Sequence, residues 1–449
     1  MVEEPPAATP VAPDRLLAGA PATTAATGTD AVVTRRGRLD FLDGLRGIAA
    51  LTVAVQHLGE TQWVGLLGWS HQWFRAGEFA VLLFFLCSGF IIPASLERRN
   101  DLTEFWIGRF FRLWPLYTAV LAAALLAYGV SERLAPPIGF RPTTDSLLNL
   151  TMLQVFTTRP LVIGASWTLG YELVFYLLVS VLFLLGLHRS STATATALLL
   201  CSLGLGGVTT LYMLQLRPEQ WYTFPLAGLL LLLVAVATRI HRPSAKVVAV
   251  AMGLVVVVAV SNRPHPMYFS LLLLGSMFVG TVLYRWIADQ TSGRTAAQVF
   301  GLALVVILLT QRSWHIGYTE PISGATPMWW TEVVTFLAAF LVFGGALLLR
   351  HKAWPRLLTY LGTISYSVYL LHALVLIVFP RVPGGPWGNF LAMMAATVLG
   401  SVVTYNLIER PSIAAGRKVT DARRRRRAAA AESATPAERS PATSGATGA

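Results

Sequence analysis

The sequence predicts an all-α polytopic transmembrane helix bundle of about 10–12 spans with both termini cytoplasmic, and three observations carry that reading. Hydrophobic residues make up 55% of the 449 and charged residues only 13%, where soluble domains carry roughly a quarter charged. Apolar runs long enough to cross a hydrocarbon core of about 30 Å recur along most of the chain. Basic residues gather on alternate connections between those runs, which marks the cytoplasmic side. The mean hydropathy of +0.59 agrees.

Residues 1–38 come first. They are rich in Ala, Pro and Thr, with no basic stretch leading into an apolar core, and read as a disordered cytoplasmic tail with no cleavable signal peptide. The membrane domain spans 39–412. Its twelve apolar runs lie near 42–63, 76–96, 113–130, 166–187, 193–215, 221–238, 245–261, 267–286, 295–311, 328–349, 357–379 and 387–408. Arg35 and Arg36 precede the first, and Arg98, Arg99, Arg109 and Arg112 separate the second from the third. Arg239 and Arg242 follow the sixth, Arg285 the eighth, Arg350 and Lys352 the tenth, and Arg417 and Lys418 the twelfth. The opposite connections are richer in aromatics, as in RSWHIGYTEPISGATPMWW at 312–330, which suits an interfacial belt. The longest of them, 131–165, is Pro-rich and contains SLLNLTMLQVF, a mildly amphipathic stretch that suits the membrane surface. Residues 413–449 read as a basic and then disordered cytoplasmic tail.

Composition also excludes classes. Cys87 and Cys201 fall within apolar runs, so neither a disulfide framework nor a metal site is expected. The formal charge of +13 is explained by positive-inside clusters, including RRRRR at 423–427, so the expected partner is the lipid bilayer and not nucleic acid. No internal repeat is visible. The link between the sixth and seventh runs is short, which argues against a transporter built from two six-span halves.

Ionisable residues inside the apolar runs are the candidates for chemistry, because each costs a few kcal/mol in mid-bilayer. In LDFLDGLRGIAALTVAVQHLGE, Arg46 and His57 are eleven residues apart, which returns to within about 20° of one helix face, displaced by roughly 16 Å. The bland alternative has Arg46 snorkelling and His57 satisfied at the interface. Glu172, counted inward from the start of the fourth run in SWTLGYELVFYLL, falls roughly 12 Å deep, level with His57. A carboxylate there would fix the tautomer of the imidazole and stabilise its protonated form. Arg109 and Arg112 in FWIGRFFRLWPLY stand one turn apart; they suit phosphate recognition or simple anchoring. Ser88 and Gly89 in FFLCSGFIIPAS, with the helix-bending Pro93 beyond them, permit close backbone approach. Ser365, Tyr369 and His372 form a polar stripe at i, i+4 and i+7, with Tyr366 beside it. Glu409 and Arg410 read as interfacial charge at the end of the last run.

These segments together resemble the acyltransferase-3 family of integral membrane acyltransferases. The matching pieces are FLDGLRGIAALTVAVQH, FFLCSGF, the RFFR pair, WTLGYELVFY, ISYSVYLLH and LIERP, covering residues 39–412. Thr168 stands where that family more often has Ser, and twelve runs exceed its usual core of roughly ten spans. The resemblance implies transfer of an acyl group, acetyl by expectation, from acyl-CoA to a hydroxyl of a carbohydrate, glycolipid or glycosylated natural product. By the same resemblance Arg109 and Arg112 would meet the donor's phosphates. His57 would be base or acyl-carrying nucleophile, Glu172 its orienting carboxylate, and Arg46 a holder of donor phosphate or internal carboxylate. Ser88, Ser365, Tyr366, Tyr369 and His372 are assigned to substrate binding. The short tail leaves no room for the esterase-like domain of some relatives, so acceptor modification is expected at the membrane domain itself, in a bacterial plasma membrane. A secondary transporter and a non-enzymatic export partner are the rival classes.

Overall fold

The computed structural model describes residues 40–63, 70–131, 134–157, 159–215, 243–261, 267–317, 330–380 and 382–433, with backbone alone for 207–215, 260–261, 312–317 and 431–433. Among them there is no strand; all regular structure is helical. Eleven of the twelve apolar runs coincide with helices, and the sixth run, with Arg239 and Arg242, lies outside the described residues. The helices are α1 (Asp40–Glu60), α2 (Ala76–Arg99), α3 (Leu102–Val130), the short α4 (Pro142–Leu150), α5 (Trp167–Leu184), α6 (Ser191–Gln215) and α7 (Pro243–Ser261). They continue as α8 (Met267–Ile287), α9 (Gly293–Gly317), α10 (Thr331–Leu348), α11 (Arg356–Thr363), α12 (Ser365–Val378), α13 (Gly385–Thr404) and α14 (Arg410–Ser433). Among the described residues seven stretches are long and apolar enough to cross a membrane, or eight if α11 and α12, bent by 69°, make one broken span. Helix α1 is not among them, because Asp43, Arg46, Gln56 and His57 interrupt its apolar face.

Helix α8 occupies the centre: every residue from Met267 to Arg285 is buried, as expected of a helix that is apolar all round. Its crossing with α2 depends on two glycines. A Cβ on Gly89 would meet the main-chain carbonyl of Met277, and one on Gly280 that of Leu86. Backbones that approach so closely gain van der Waals contact, which replaces the hydrophobic drive that a membrane does not supply. At the periphery α13 buries only Met393, Thr397 and Ser401 along one stripe and exposes Trp387, Leu391, Leu399 and Val403.

The basic clusters that the structure describes gather at one end. Arg285 pairs with Glu97 at the end of α2, the Arg350 guanidinium lies 5.8 Å from the Trp286 ring, and Arg424 grips Glu104 with three hydrogen bonds of 2.6–3.0 Å. The opposite end is tied by Arg75 to Glu332 at 3.2 Å and carries the Trp63–Trp387 and Trp73–Trp330 ring contacts.

Two stretches depart from expectation. The basic part of the C-terminal segment is helical, and the helix runs on through 428–433, the start of the stretch expected to be disordered: a π-helical turn, Tyr405–Glu409, carries the last span into α14 without a break. Gly416 lets α14 lie against the Phe111 ring of α3, and the ion pairs Arg424–Glu104 and Arg427–Asp101 fix it there. The 134–166 connection folds back into the bundle. The Trp114 indole donates to the Leu150 carbonyl (3.1 Å) and the Tyr117 hydroxyl to that of Asn149 (2.8 Å). Trp114 precedes the end of α3 by sixteen residues, about 24 Å of helix. Helix α5 therefore starts well inside the bundle.

Candidate functional site

The polar residues singled out in the sequence fall into two groups along the bundle, not one. The group nearer the basic end is built by α1, α2, α3, α5 and the last span. Arg46 projects from α1, with its nearest acid, Asp43, at 4.0 Å. Arg46 also lies within electrostatic reach of Arg112 and Glu172, and both arginines act on Glu409. Glu172 accepts hydrogen bonds from Ser88 Oγ (3.1 Å) and from the Tyr176 hydroxyl (2.5 Å). Glu409 is only 2% exposed and accepts one from Ser367 Oγ at 2.8 Å. The π-helical turn places it inside the bundle, which overturns its reading as interfacial charge.

The RFFR arginines diverge. Arg109 is packed between aromatic rings, its guanidinium 5.4 Å from the Phe105 centroid and 5.5 Å from that of Tyr176, with a long contact to Ser95 Oγ at 3.4 Å. Arg112 makes no hydrogen bond or ion pair to another described residue and lies where it acts on Asp43, Arg46 and Glu409. The cationic pair at this site is therefore Arg46 with Arg112.

The second group sits at the far end of α1. His57 Nδ1 is 3.1 Å from Glu60 Oε2, and the ring stacks on that of His372, with centroids 5.6 Å apart and planes inclined by 6°. His372 is fully buried. Its Nδ1 is 3.3 Å from the Val368 carbonyl, so that atom carries a proton, while Nε2 has no partner among the described residues.

Between the groups, α12 carries connecting hydroxyls. Tyr369 lies 2.6 Å from Thr168 Oγ1 and donates to the Ala165 carbonyl at 2.6 Å, and its ring is 5.6 Å from that of His372. Tyr366 is a brace, since its hydroxyl donates to the Leu113 carbonyl at 2.7 Å. Ser365, at the bend between α11 and α12, is buried with no partner for Oγ among the described residues.

The expected pairing of Glu172 with His57 is not found. Gln56, beside His57, accepts from the Gly77 N–H, which sets the level of the far group on α2. Ser88, which holds Glu172, is eleven residues further along α2, about 16 Å towards the basic end. Glu172 is thus level with Arg46. Counting its depth from the start of the fourth run fails because the preceding connection has already entered the bundle.

Sequence reasoning missed Glu60 and His71 as members of the far group. Glu60 Oε1 lies 2.9 Å from Gln56 Nε2 and 3.0 Å from His71 Nε2. The i, i+3 spacing of His57 and Glu60 was the available signal. Among the described residues no cluster of three or more His, Cys, Asp or Glu could hold a metal ion.

A bundle of apolar helices with Glu409 and His372 buried and Arg46, Arg112, Glu172 and His57 half-buried between its elements defines a polytopic membrane protein with an internal polar site. The chain belongs to the acyltransferase-3 family: residues 39–406 match that family's model, described as an acyltransferase domain. It is 32% identical over 149 residues to acyltransferase MdmB of Streptomyces mycarofaciens, covering 31% of this chain and 38% of that protein. It is 35% identical over 86 residues to a Staphylococcus aureus (strain COL) protein named for O-acetyltransferase activity, covering 18% of this chain and 12% of that protein. The chain thus spans well under two thirds of the length of either relative. No solved structure matches it.

Proposed function

We propose that the protein is a membrane O-acyltransferase that takes an acyl group, acetyl in the first instance, from acyl-CoA and transfers it to a hydroxyl of a carbohydrate, glycolipid or glycosylated natural product. Family membership supports the reaction class. The observation that carries the reading is the disposition of His57. A carboxylate only accepts hydrogen bonds, so Nδ1, at 3.1 Å from Glu60, is the protonated nitrogen and Nε2 is the reactive one.

In this reading the basic end faces the cytoplasm and receives the donor. Arg46 and Arg112 bind its phosphates, and the thioester extends along α12 towards His57. Nε2 takes the proton of the acceptor hydroxyl as its oxygen attacks the thioester carbonyl. The carbon–sulfur bond then breaks and the thiolate recovers that proton from the imidazolium. The same nitrogen serves equally as the nucleophile of a two-step transfer. His372, stacked beside it with a buried unpaired Nε2, is placed to accept a hydrogen bond from the acceptor.

The test is thiol release from acetyl-CoA by purified protein, together with the mass gain of an acceptor, for wild type and His57→Ala. Loss of a positioned base commonly costs two or more orders of magnitude, so the variant should fold at normal yield and be inactive. Near wild-type transfer by His57→Ala would sink the catalytic reading, and accumulation of substrate without thiol release would mark a transporter instead.

A further inference from the structure

We infer that Glu60 is the carboxylate that positions His57, and that His71 and Gln56 hold Glu60 in place for that purpose; this rests on the reading of His57 as the reactive residue. Four observations lead there. Glu60 Oε2 faces His57 Nδ1 at 3.1 Å, within one turn of the same helix. Its other oxygen, Oε1, accepts from Gln56 Nε2 at 2.9 Å and lies 3.0 Å from His71 Nε2, the two nitrogens being 2.9 Å apart; with Nε2 of His71 protonated both donate to Oε1, so both oxygens are occupied and the carboxylate cannot swing away from the imidazole without breaking those contacts. Gln56 is itself fixed by the Gly77 N–H of α2. Glu172 is occupied by Ser88 and Tyr176 about three helical turns away and cannot serve.

The chemistry of such a pair is specific. An ionised carboxylate on Nδ1 selects the tautomer that leaves Nε2 unprotonated, and it stabilises the positive charge that the ring gains when Nε2 takes a proton. His71 comes from the segment that leads into α2, not from α1. The orientation of the reactive ring is therefore tied to the closure of the α1–α2 connection, whose far side is held by Thr331 to the Gln72 carbonyl and by Arg75 to Glu332. Glu60 touches the histidine and not the substrate in this scheme, which makes it a positioning residue.

The experiment compares purified full-length wild type, Glu60→Gln, Glu60→Asp and His57→Ala for thiol release from acetyl-CoA across a pH series. The titratable groups facing His57 are Glu60 on α1 and His372 on α12, with His71 acting through Glu60; only Glu60 changes in the two Glu60 variants. Glu60→Gln should lower kcat at least about tenfold while the KM for acetyl-CoA stays within about twofold, because the donor's charged end is bound elsewhere. The acid limb of the kcat/KM profile should move to lower pH, since protonation of the site is no longer favoured by a neighbouring carboxylate. Glu60→Asp keeps the charge but draws it back by one methylene, and should lose less of kcat than Glu60→Gln. An inactive His57→Ala beside a Glu60→Gln enzyme with wild-type kcat and an unmoved profile would overturn the assignment of Glu60 and leave the proposed function standing. An active His57→Ala would overturn both. If Glu60→Gln does not fold, Glu60→Asp decides: an unchanged kcat in that variant counts against a role that depends on the 3.1 Å contact.

Discussion

Arg112→Gln and Arg109→Gln should separate donor binding from packing, although both residues belong to the same RFFR motif. Arg112 makes no hydrogen bond or ion pair to another described residue and lies within electrostatic reach of Arg46, Asp43 and Glu409. Its replacement breaks no hydrogen bond or ion pair to another described residue, and withdraws only a charge that acts on Asp43 and Glu409. If it binds a donor phosphate, one charge-assisted hydrogen bond is lost, worth about 1.5–3 kcal/mol. That corresponds to a rise of about ten- to hundredfold in the KM for acyl-CoA. Arg109 is sandwiched by Phe105 and Tyr176 at 5.4 and 5.5 Å, and each cation–π contact is worth about 0.5–2 kcal/mol. Its loss should lower thermal stability by about 1–4 kcal/mol with a smaller effect on KM. The assay is thiol release at varied acetyl-CoA concentration by detergent-purified variants, with melting followed in parallel. Equal effects of the two variants on KM, or an unchanged KM for Arg112→Gln in folded protein, would refute the division and return the motif to topological anchoring.

Two further outcomes follow from the packing. Gly89→Leu should destabilise the bundle at the upper end of the about 1–3 kcal/mol typical of overpacking, because the new side chain meets the Met277 carbonyl and not a movable side chain; melting of purified protein checks this, and wild-type stability would deny the close crossing. Asp145 is clamped by Arg159 at 2.7 Å through both oxygens, which holds its carboxyl below the ordinary carboxylate range. The clamp is then fully present above the unfolded value of about 3.9 and lost as pH falls through the lower folded value, so protease cleavage within the 134–166 connection should rise with acidification below about pH 4, and Asp145→Asn should be cleaved readily at every pH.

The helices were legible because long apolar runs in a membrane protein have few alternatives to helix. Eleven of the twelve runs map onto helices within the described residues, and the alternation of basic clusters agrees with their gathering at one end. What was not legible is depth. Counting residues inward from a connection presumes that the connection stays outside, and Asn149 and Leu150, bound by Tyr117 and Trp114, do not. Glu172 was placed level with His57 for that reason alone. Glu409 was misjudged by a related presumption, that a charge near the end of an apolar run lies at its surface. The π-helical turn and the helix beyond it carry the chain on, so the end of apolar composition is not the end of burial. Glu60 lay in plain view three residues after His57, but only the approach of His71 and Gln56 distinguishes it from an ordinary interfacial acid.

The group around Arg46 shows how buried charge can be retained for a ligand without being consumed by the fold. Two guanidinium groups close together in a bundle interior repel each other and lose hydration, and without compensation neither would stay. Glu172 and Glu409 supply compensating charge through the field, while the hydrogen bonds they accept come from neutral donors: Ser88 and Tyr176 both on Oε1 of Glu172, and Ser367 on Oε2 of Glu409. Had the carboxylates paired directly with the arginines, the fork of N–H groups on each guanidinium would be occupied and a phosphate would have to displace them. With hydroxyls doing the satisfying, the attraction is kept and the N–H groups of Arg46 and Arg112 remain available. The hydroxyls at Ser88, Tyr176 and Ser367 are therefore as much a part of the proposed donor site as the arginines, although none of them would touch the donor.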